Sequence, residues 1–220
     1  IFVIDHNSNN DDLTQIKKQL INSNFNYSIT SLDINEFKND INKINAKNEK
    51  VTENQISNMC NIHKSLQIAK DKCSDLIYFV EDDYLHNTNA ISEMIFAYER
   101  ISSQLESELV LCPSDYPYLY TKFDSTKILL GSTVHWRKIN ETLCTFLTSK
   151  NLLEKYWEKF ISMCKYEHYP FEKPLHDIYE KEYCFSPIPS LSFHCTNVNS
   201  IFGLSPNIDW KKIWNENENY

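Results

Sequence analysis

A chain of 220 residues with 41% hydrophobic and 13% aromatic residues can bury one substantial core, or two small ones. Its net charge of −8 argues against a nucleic-acid surface, which needs a basic stripe, and no apolar run approaches the ~18 residues of a transmembrane helix. Gly131 and Gly203 are the only glycines, too few to write a Gly-rich dinucleotide fingerprint or a P-loop. Seven cysteines, an odd number without a Cys-x-x-Cys pair, sit mostly in apolar runs. They point to buried thiols in a reducing, cytoplasmic setting. The first residues do not read as a signal peptide. The chain opens on a strand without Met, so a domain cut from something longer is one reading.

Ile1-Phe2-Val3-Ile4 reads as a first strand that exits into Asp5-His6-Asn7-Ser8. Leu13, Ile16, Leu20 and Ile21 follow at helical spacing, and Tyr27 to Leu32 form a second strand with Asp33 just past its end. Residues 34–50 are polar, with Ile34, Phe37, Ile41 and Ile44 spaced as a short surface helix before a loop. Thr52 and Gln55 offer a capping box for a helix whose face is Ile56, Met59, Cys60, His63, Leu66 and Ala69. Leu76 to Val80 is a third strand. Asn87 or Thr88 can cap the next helix, with Ile91, Met94, Ile95, Tyr98 and Ile101 as its apolar face, and Leu109 to Cys112 is a fourth strand. Such alternation implies parallel strands with helices on both faces of the sheet.

The second half changes character. Pro113 to Tyr120 is an aromatic loop, and Ile128 to Arg137 and Thr142 to Thr148 read as two strands joined by Lys138-Ile139-Asn140-Glu141. No helical segment lies between them, so antiparallel pairing is expected. Ser149 caps a helix carrying Leu152, Leu153, Tyr156, Trp157, Phe160 and Cys164. Pro174 can start a short helix with His176 and Asp177 in its first turn. Cys184 to Cys195 is extended and Pro-broken, with His194 near its end, and Trp210, Ile213 and Trp214 mark a terminal helix packed on the body. Neither repeat nor linker interrupts residues 1–220, which read as one domain.

The chemistry concentrates where the third strand meets Glu81-Asp82-Asp83. A short apolar run reads as a strand buried on both faces, able to carry charge only at its exit. In open α/β sheets, the C-terminal end of the strands is where ligands bind. Three adjacent acids repel one another unless they are solvated or share a cation. A hard ion with oxygen ligands, Mg²⁺ or Mn²⁺, is the natural partner.

Tyr78-Phe79-Val80-Glu81-Asp82-Asp83-Tyr84-Leu85, ending an N-terminal βαβαβ run, resembles the DXD-type motif of GT-A glycosyltransferases, some of which write it Glu-Asp-Asp. The order of elements from Ile1 to His194 is similar as well. The resemblance implies an α/β, Rossmann-like mixed sheet, mainly parallel in its N-terminal half. It implies a nucleotide-sugar-binding half (1–112) and an acceptor-binding half (113–220). The activity implied is transfer of a sugar from a nucleoside-diphosphate sugar, UDP-sugar favoured, to a hydroxyl of a carbohydrate or glycoconjugate. Mn²⁺ or Mg²⁺ would bridge the diphosphate to the acids.

Carried over residue by residue, the resemblance implies Asp83 as a metal ligand and His194 as a late metal-binding histidine. Asp82 or Glu81 would face the donor ribose or hold a metal-bound water, Asp33 would read the nucleoside base, and His6 and Asn7 would flank the same pocket. Asp177, in a His176-Asp177 pair where Glu-Asp is common, would be the base of an inverting transfer, with Glu172 and Glu180 next to test. Asp115, Tyr116, His135, Trp136 and Arg137 look like acceptor or donor lining, since aromatic faces suit sugar rings and an Arg can pair with phosphate. Plain alternatives stand beside these: a helix cap for Asp33, a helix-start acid for Asp177, and core packing for His194, Tyr116 and Trp136. Two other classes compete, a metal-dependent phosphohydrolase or nucleotidyltransferase, and a non-catalytic carbohydrate-binding module. Peripheral association with a membrane stays open.

Overall fold

A computed structural model describes residues 1–37, 39–196, 198–206 and 208–218. The chain runs through β1 (Phe2–Asp5), α1 (Asn10–Asn22), β2 (Ser28–Ser31), α2 (Glu53–Lys72), β3 (Leu76–Phe79) and β4 (Tyr84–His86). Next come α3 (Ala90–Leu105), β5 (Leu109–Leu111), β6 (Ile128–Leu130), β7 (His135–Ile139) and β8 (Phe146–Ser149). The last elements are α4 (Lys150–Lys155), α5 (Trp157–Met163), α6 (Lys173–Tyr179), β9 (Tyr183–Ile188), β10 (Ser192–His194) and α7 (Trp210–Glu218). Two compact units result, residues 1–73 with 157–174, and residues 74–156 with 175–220.

In the first unit β1 and β2 pair in parallel, from Phe2 opposite Ser28 to Asp5 opposite Ser31. The capping box of α2 forms as its sequence predicts. Gln55 N–H donates to the Thr52 hydroxyl at 3.3 Å, and Thr52 N–H donates to the Gln55 side chain at 2.9 Å. Met59 and Cys60 on the buried face of α2 pack with Leu32, Phe37 and Ile41. The expected surface helix after residue 34 shrinks to a single 3₁₀ turn, Ile34–Phe37. Phe37 and Ile41 are nonetheless buried, while Ile44 stands 57% exposed.

The second unit holds a six-stranded sheet in the order β3-β8-β5-β9-β7-β6, and a separate pair, β4 with β10. Two expectations are corrected here. The β3–β8, β8–β5, β9–β7 and β7–β6 pairs are antiparallel and only β5–β9 is parallel, so this sheet is mostly antiparallel. Among the described residues β3 ends the strand order, and Val80 beyond it is 51% exposed, so the strand is not buried on both faces. Helical spacing between strands locates the helices but does not choose strand partners. The partner of β3, Leu76 opposite Ser149, comes from far along the chain.

Local boundaries differ too. The span expected as one strand from 128 to 137 is a hairpin, with Ile128 opposite Arg137. Ser149 does accept from Leu152 N–H at 3.1 Å, but the helix it caps stops at Lys155 before α5 resumes at Trp157. The cap position of α3 is Asn89 rather than Asn87 or Thr88. Ile213 alone is buried on α7; Trp210 and Trp214 are 42% and 50% exposed. All seven cysteines are free; Cys73 and Cys195 are half-buried and the rest buried. No helix among the described residues is long and apolar enough to cross a membrane.

The buried face of α3 is Ala90, Glu93, Met94, Ala97, Tyr98 and Ile101, rotated from the one expected, so Ile91 and Ile95 are left 48% and 40% exposed. A carboxylate lies on that buried face. Glu93 is 2% exposed and accepts from Ser132 N–H (2.9 Å), Thr133 N–H (2.7 Å), the Thr133 hydroxyl (2.8 Å) and the Trp136 indole N–H (3.2 Å). Burial pushes its carboxyl up, but these donors outweigh burial and hold it below the usual carboxylate range. Gly131 leaves room for the contact, since a Cβ there would lie 2.1 Å from Glu93 Oε1 and 2.5 Å from Trp136 Nε1.

A carboxyl depressed in the folded state contributes stability above its unfolded pKa of about 4.3, and that contribution fades as pH falls through the folded value. Glu93→Gln is therefore expected to cost roughly 2–3 kcal/mol at pH 7. The gap to the parent should narrow below about pH 4, as measured by urea unfolding across pH. Gly131→Ala should be destabilising at every pH, because the clash is steric.

Candidate functional site

The acidic turn lies between β3 and β4 of the second unit, and bonds on both sides hold it. The Tyr78 hydroxyl and His86 Nε2 are hydrogen-bonded across its base, with the rings edge-on at 5.7 Å. Burial pushes the His86 pKa down to about 4, so the ring is neutral at neutral pH. Above this clamp Glu81 N–H donates to the Thr145 hydroxyl at 3.0 Å, and Thr145 is fully buried just before β8. Glu81 and Asp83 are half-buried, whereas Asp82 is exposed.

The pairing of β4 with β10 completes the site. Its register sets His194 opposite Tyr84, one residue past Asp83. His194 Nε2 lies 2.6 Å from Asp83 Oδ2 although 111 residues separate them, and Cys195 N–H donates to the Asp83 carbonyl at 2.7 Å. The imidazole stacks on Tyr84 with centroids 4.9 Å apart. The Tyr84 hydroxyl meets that of Tyr116, and Tyr116 stacks on Tyr118 at 5.5 Å. The bond to Asp83 raises the His194 pKa against the effect of burial. Burial pushes the Asp83 carboxyl up, but bonds from His194 and Thr196 outweigh it, leaving it lowered. Each partner favours the charged form of the other.

Of the residues that the sequence pointed to, Asp83 and His194 are thus brought together. Their 2.6 Å separation is shorter than the roughly 3 Å between adjacent ligands on an ion with bonds near 2.1 Å. As they stand they are hydrogen-bonded, and ligating one ion would require the ring to lose its proton and the two to part slightly. Among the described residues no group of three or more His, Cys, Asp or Glu side chains could hold a metal. Two donors fit an ion that arrives with its substrate, since Mg²⁺ is commonly held by one or two carboxylates, waters and substrate phosphates.

The proposed lining residues fare differently. Tyr116 and Trp136 are fully buried, Asp115 is 3% exposed and Arg137 8%, so here they build the core rather than an open wall; only His135 is exposed. Asp115 accepts from Arg137 on one carboxylate oxygen and from the Tyr120 hydroxyl on the other, while the guanidinium lies 4.3 Å from the centroid of the Tyr120 ring. An Arg so engaged supports the loop; a phosphate would have to break a buried ion pair to reach it.

Asp177 is half-buried in the second turn of α6, because that helix begins at Lys173. The macrodipole account of a first-turn acid therefore does not apply. The helix is anchored beside it, with His176 Nε2 3.2 Å from the Thr142 carbonyl and the Thr142 hydroxyl 2.8 Å from that of Tyr179. The remaining candidates lie in the first unit. His6 Nδ1 is 2.6 Å from the Ser57 hydroxyl, Asn7 is exposed with a left-handed φ of 66°, and Asp33 caps a turn by accepting from Asn35 N–H at 2.9 Å. That is the cap expected as the plain alternative for Asp33.

Glu172, also in the first unit, is 8% exposed, and burial pushes its carboxyl up to about 7. Between the unfolded value of about 4.3 and this folded one, the native state binds the extra proton, so stability falls as pH rises. Glu172→Gln is expected to match the parent near pH 4 and exceed it above pH 7 by roughly 2–4 kcal/mol. Chemical denaturation at the two pH values checks this.

Thr145, Tyr78 and His86 were not singled out as site residues from sequence. His86 does follow the acids in the same short run, but nothing local links it to Tyr78, and Thr145 has no pattern of its own. No protein-family model matches the chain and no curated protein matches it, so the functional reading rests on the chemistry of these residues.

Proposed function

We propose that the chain is a metal-dependent glycosyltransferase that moves a sugar from a nucleoside-diphosphate sugar, UDP-sugar favoured, to a carbohydrate or glycoconjugate hydroxyl, with inversion. The observation that carries this reading is the Asp83–His194 pair at the exit of β3, a carboxylate and an imidazole hydrogen-bonded at 2.6 Å. The Glu-Asp-Asp motif supplies the family expectation, and the pair supplies a chemical place for it.

Asp83 and His194 would hold the ion, Mn²⁺ or Mg²⁺, which when bound stabilises the charge that develops on the departing diphosphate. Until then they are hydrogen-bonded to each other, so the turn keeps its shape. Glu81, fixed by Thr145, is positioned to take a hydrogen bond from a donor hydroxyl or a water. Asp82, exposed beside it, extends the negative edge. An acceptor hydroxyl has a pKa far above 7 and needs a carboxylate to take its proton as it attacks. Asp177 is our candidate for that base. Seven free thiols support a reducing compartment, and we place the reaction in the cytoplasm.

Two measurements test the proposal. Thermal shift with UDP and Mn²⁺ should show a joint stabilisation that Asp83→Ala removes while its circular dichroism stays native. A variant that still responds would sink the metal role. Asp177→Asn keeps shape but cannot accept a proton, so transfer should fall by about 10²–10⁴-fold with UDP binding unchanged. Transfer at the parent rate would rule Asp177 out, and release of inorganic phosphate in place of a glycosylated product would point to a phosphohydrolase.

A further inference from the structure

β4 and β10 pair apart from the six-stranded sheet, over only three residues each, Tyr84–His86 against Ser192–His194. Their register decides the site. Successive strand residues face opposite sides, so a slip of one residue would put Phe193 where His194 stands and turn the imidazole away from Asp83. Burial does not choose between the two registers. Ser190, Leu191, Ser192 and Phe193 are all buried, with no inside–outside alternation to favour either one. Buried hydroxyls tie the segment to residues 113–115 instead. The Ser190 hydroxyl accepts from Asp115 N–H at 2.8 Å and donates to the Ser192 carbonyl at 2.6 Å. The Ser114 and Ser192 hydroxyls are hydrogen-bonded to each other at 2.7 Å, and Leu191 N–H donates to the Pro113 carbonyl at 3.0 Å. From the end of β4, Asn87 N–H donates to the Leu191 carbonyl at 2.8 Å.

We infer that Ser114, Ser190 and Ser192 are positioning residues that lock the register of β10 against β4 and thereby set the Asp83–His194 contact. They are 2%, 3% and 1% exposed, so water does not replace a partner that one of them loses. A slip of one residue would part Ser190 from Asp115 and Ser192 from Ser114. Buried polar groups would be left unpaired, which costs more than the bonds themselves contribute. The serines act through the backbone of β10 and not on a ligand. The lock itself stands apart from the transferase reading; its effect on UDP and Mn²⁺ rests on that reading.

Amide hydrogen exchange in Ser190→Ala tests the lock. Cys195 N–H, which donates to the Asp83 carbonyl, should exchange about tenfold faster than in the parent, while the amides of β7 keep their protection. Ser190→Thr retains the hydroxyl and should restore the slower exchange. Ser186, fully buried on β9 with its hydroxyl unpartnered among the described residues, supplies the control, and Ser186→Ala should leave Cys195 exchange unchanged. Should Ser190→Ala fold poorly, Ser114→Ala removes one arm of the lock and is read in the same way. A lock variant holds the competent register for a smaller fraction of the time. In thermal shift with UDP, its Mn²⁺ midpoint should therefore rise about three- to tenfold, with the full response regained at saturation. Asp83→Ala, by contrast, should lose the response at every concentration. Unchanged Cys195 exchange, or equal acceleration of the Cys195 and β7 amides, would overturn the lock. A midpoint that stays put despite faster Cys195 exchange would overturn its link to the site. Faster Cys195 exchange in a protein whose parent never responds to UDP and Mn²⁺ would keep the lock and reject the transferase.

Discussion

Much of the second unit depends on how one buried carboxylate is satisfied. Glu93 sits among Ala90, Met94 and Ala97 on the packed face of α3, where an unpaired charge would be far too costly to keep. It is tolerated because the turn between β6 and β7 and the Trp136 indole aim four hydrogen bonds at it. Successive residues of a strand face opposite sides of the sheet, so fixing Trp136 also fixes its neighbour Arg137. Arg137 in turn pairs with Asp115, and Asp115 anchors Ser190 and Ser205 through its backbone. An interaction made on one face of β7 is thereby coupled to the loops around Tyr118 on the other.

The acidic turn solves a related problem by three separate means. Glu81 is held by Thr145 through both its backbone N–H and a carboxylate oxygen, Asp83 is hydrogen-bonded to His194, and Asp82 stays in water. Three neighbouring carboxylates thereby meet three different surroundings. Such a turn is preformed, and ordering it on ligand binding would cost little entropy.

Local chemistry was the legible part of the sequence. The capping box at Thr52 and Gln55, the buried stripe of α2 and the Ser149 cap all follow from residues within a turn or two of one another. The acids at the exit of β3 were legible for the same reason. What escaped was non-local. Apolar spacing on α3 favoured Ile91 and Ile95, because a polar Glu93 scores against burial unless its distant donors are known. The pairing of β3 with β8, and of β4 with β10, depends on segments that carry no mark of their partners. The nearness of His194 to Asp83 was expected from resemblance, whereas the register of β10 against β4 is its physical cause.

The cysteines divide the molecule by reactivity. Burial pushes the Cys60 thiol up to about 11 and that of Cys112 to about 12, and only the thiolate reacts. Partial exposure leaves alkylating reagents two targets, Cys73 and Cys195, although burial raises the Cys195 thiol too. The first lies at the end of α2, and the second donates its backbone N–H to Asp83. A label on Cys195 would sit beside the acidic turn and one on Cys73 at a helix end, so the native sequence already supplies a reporter position and an internal reference without any engineered thiol.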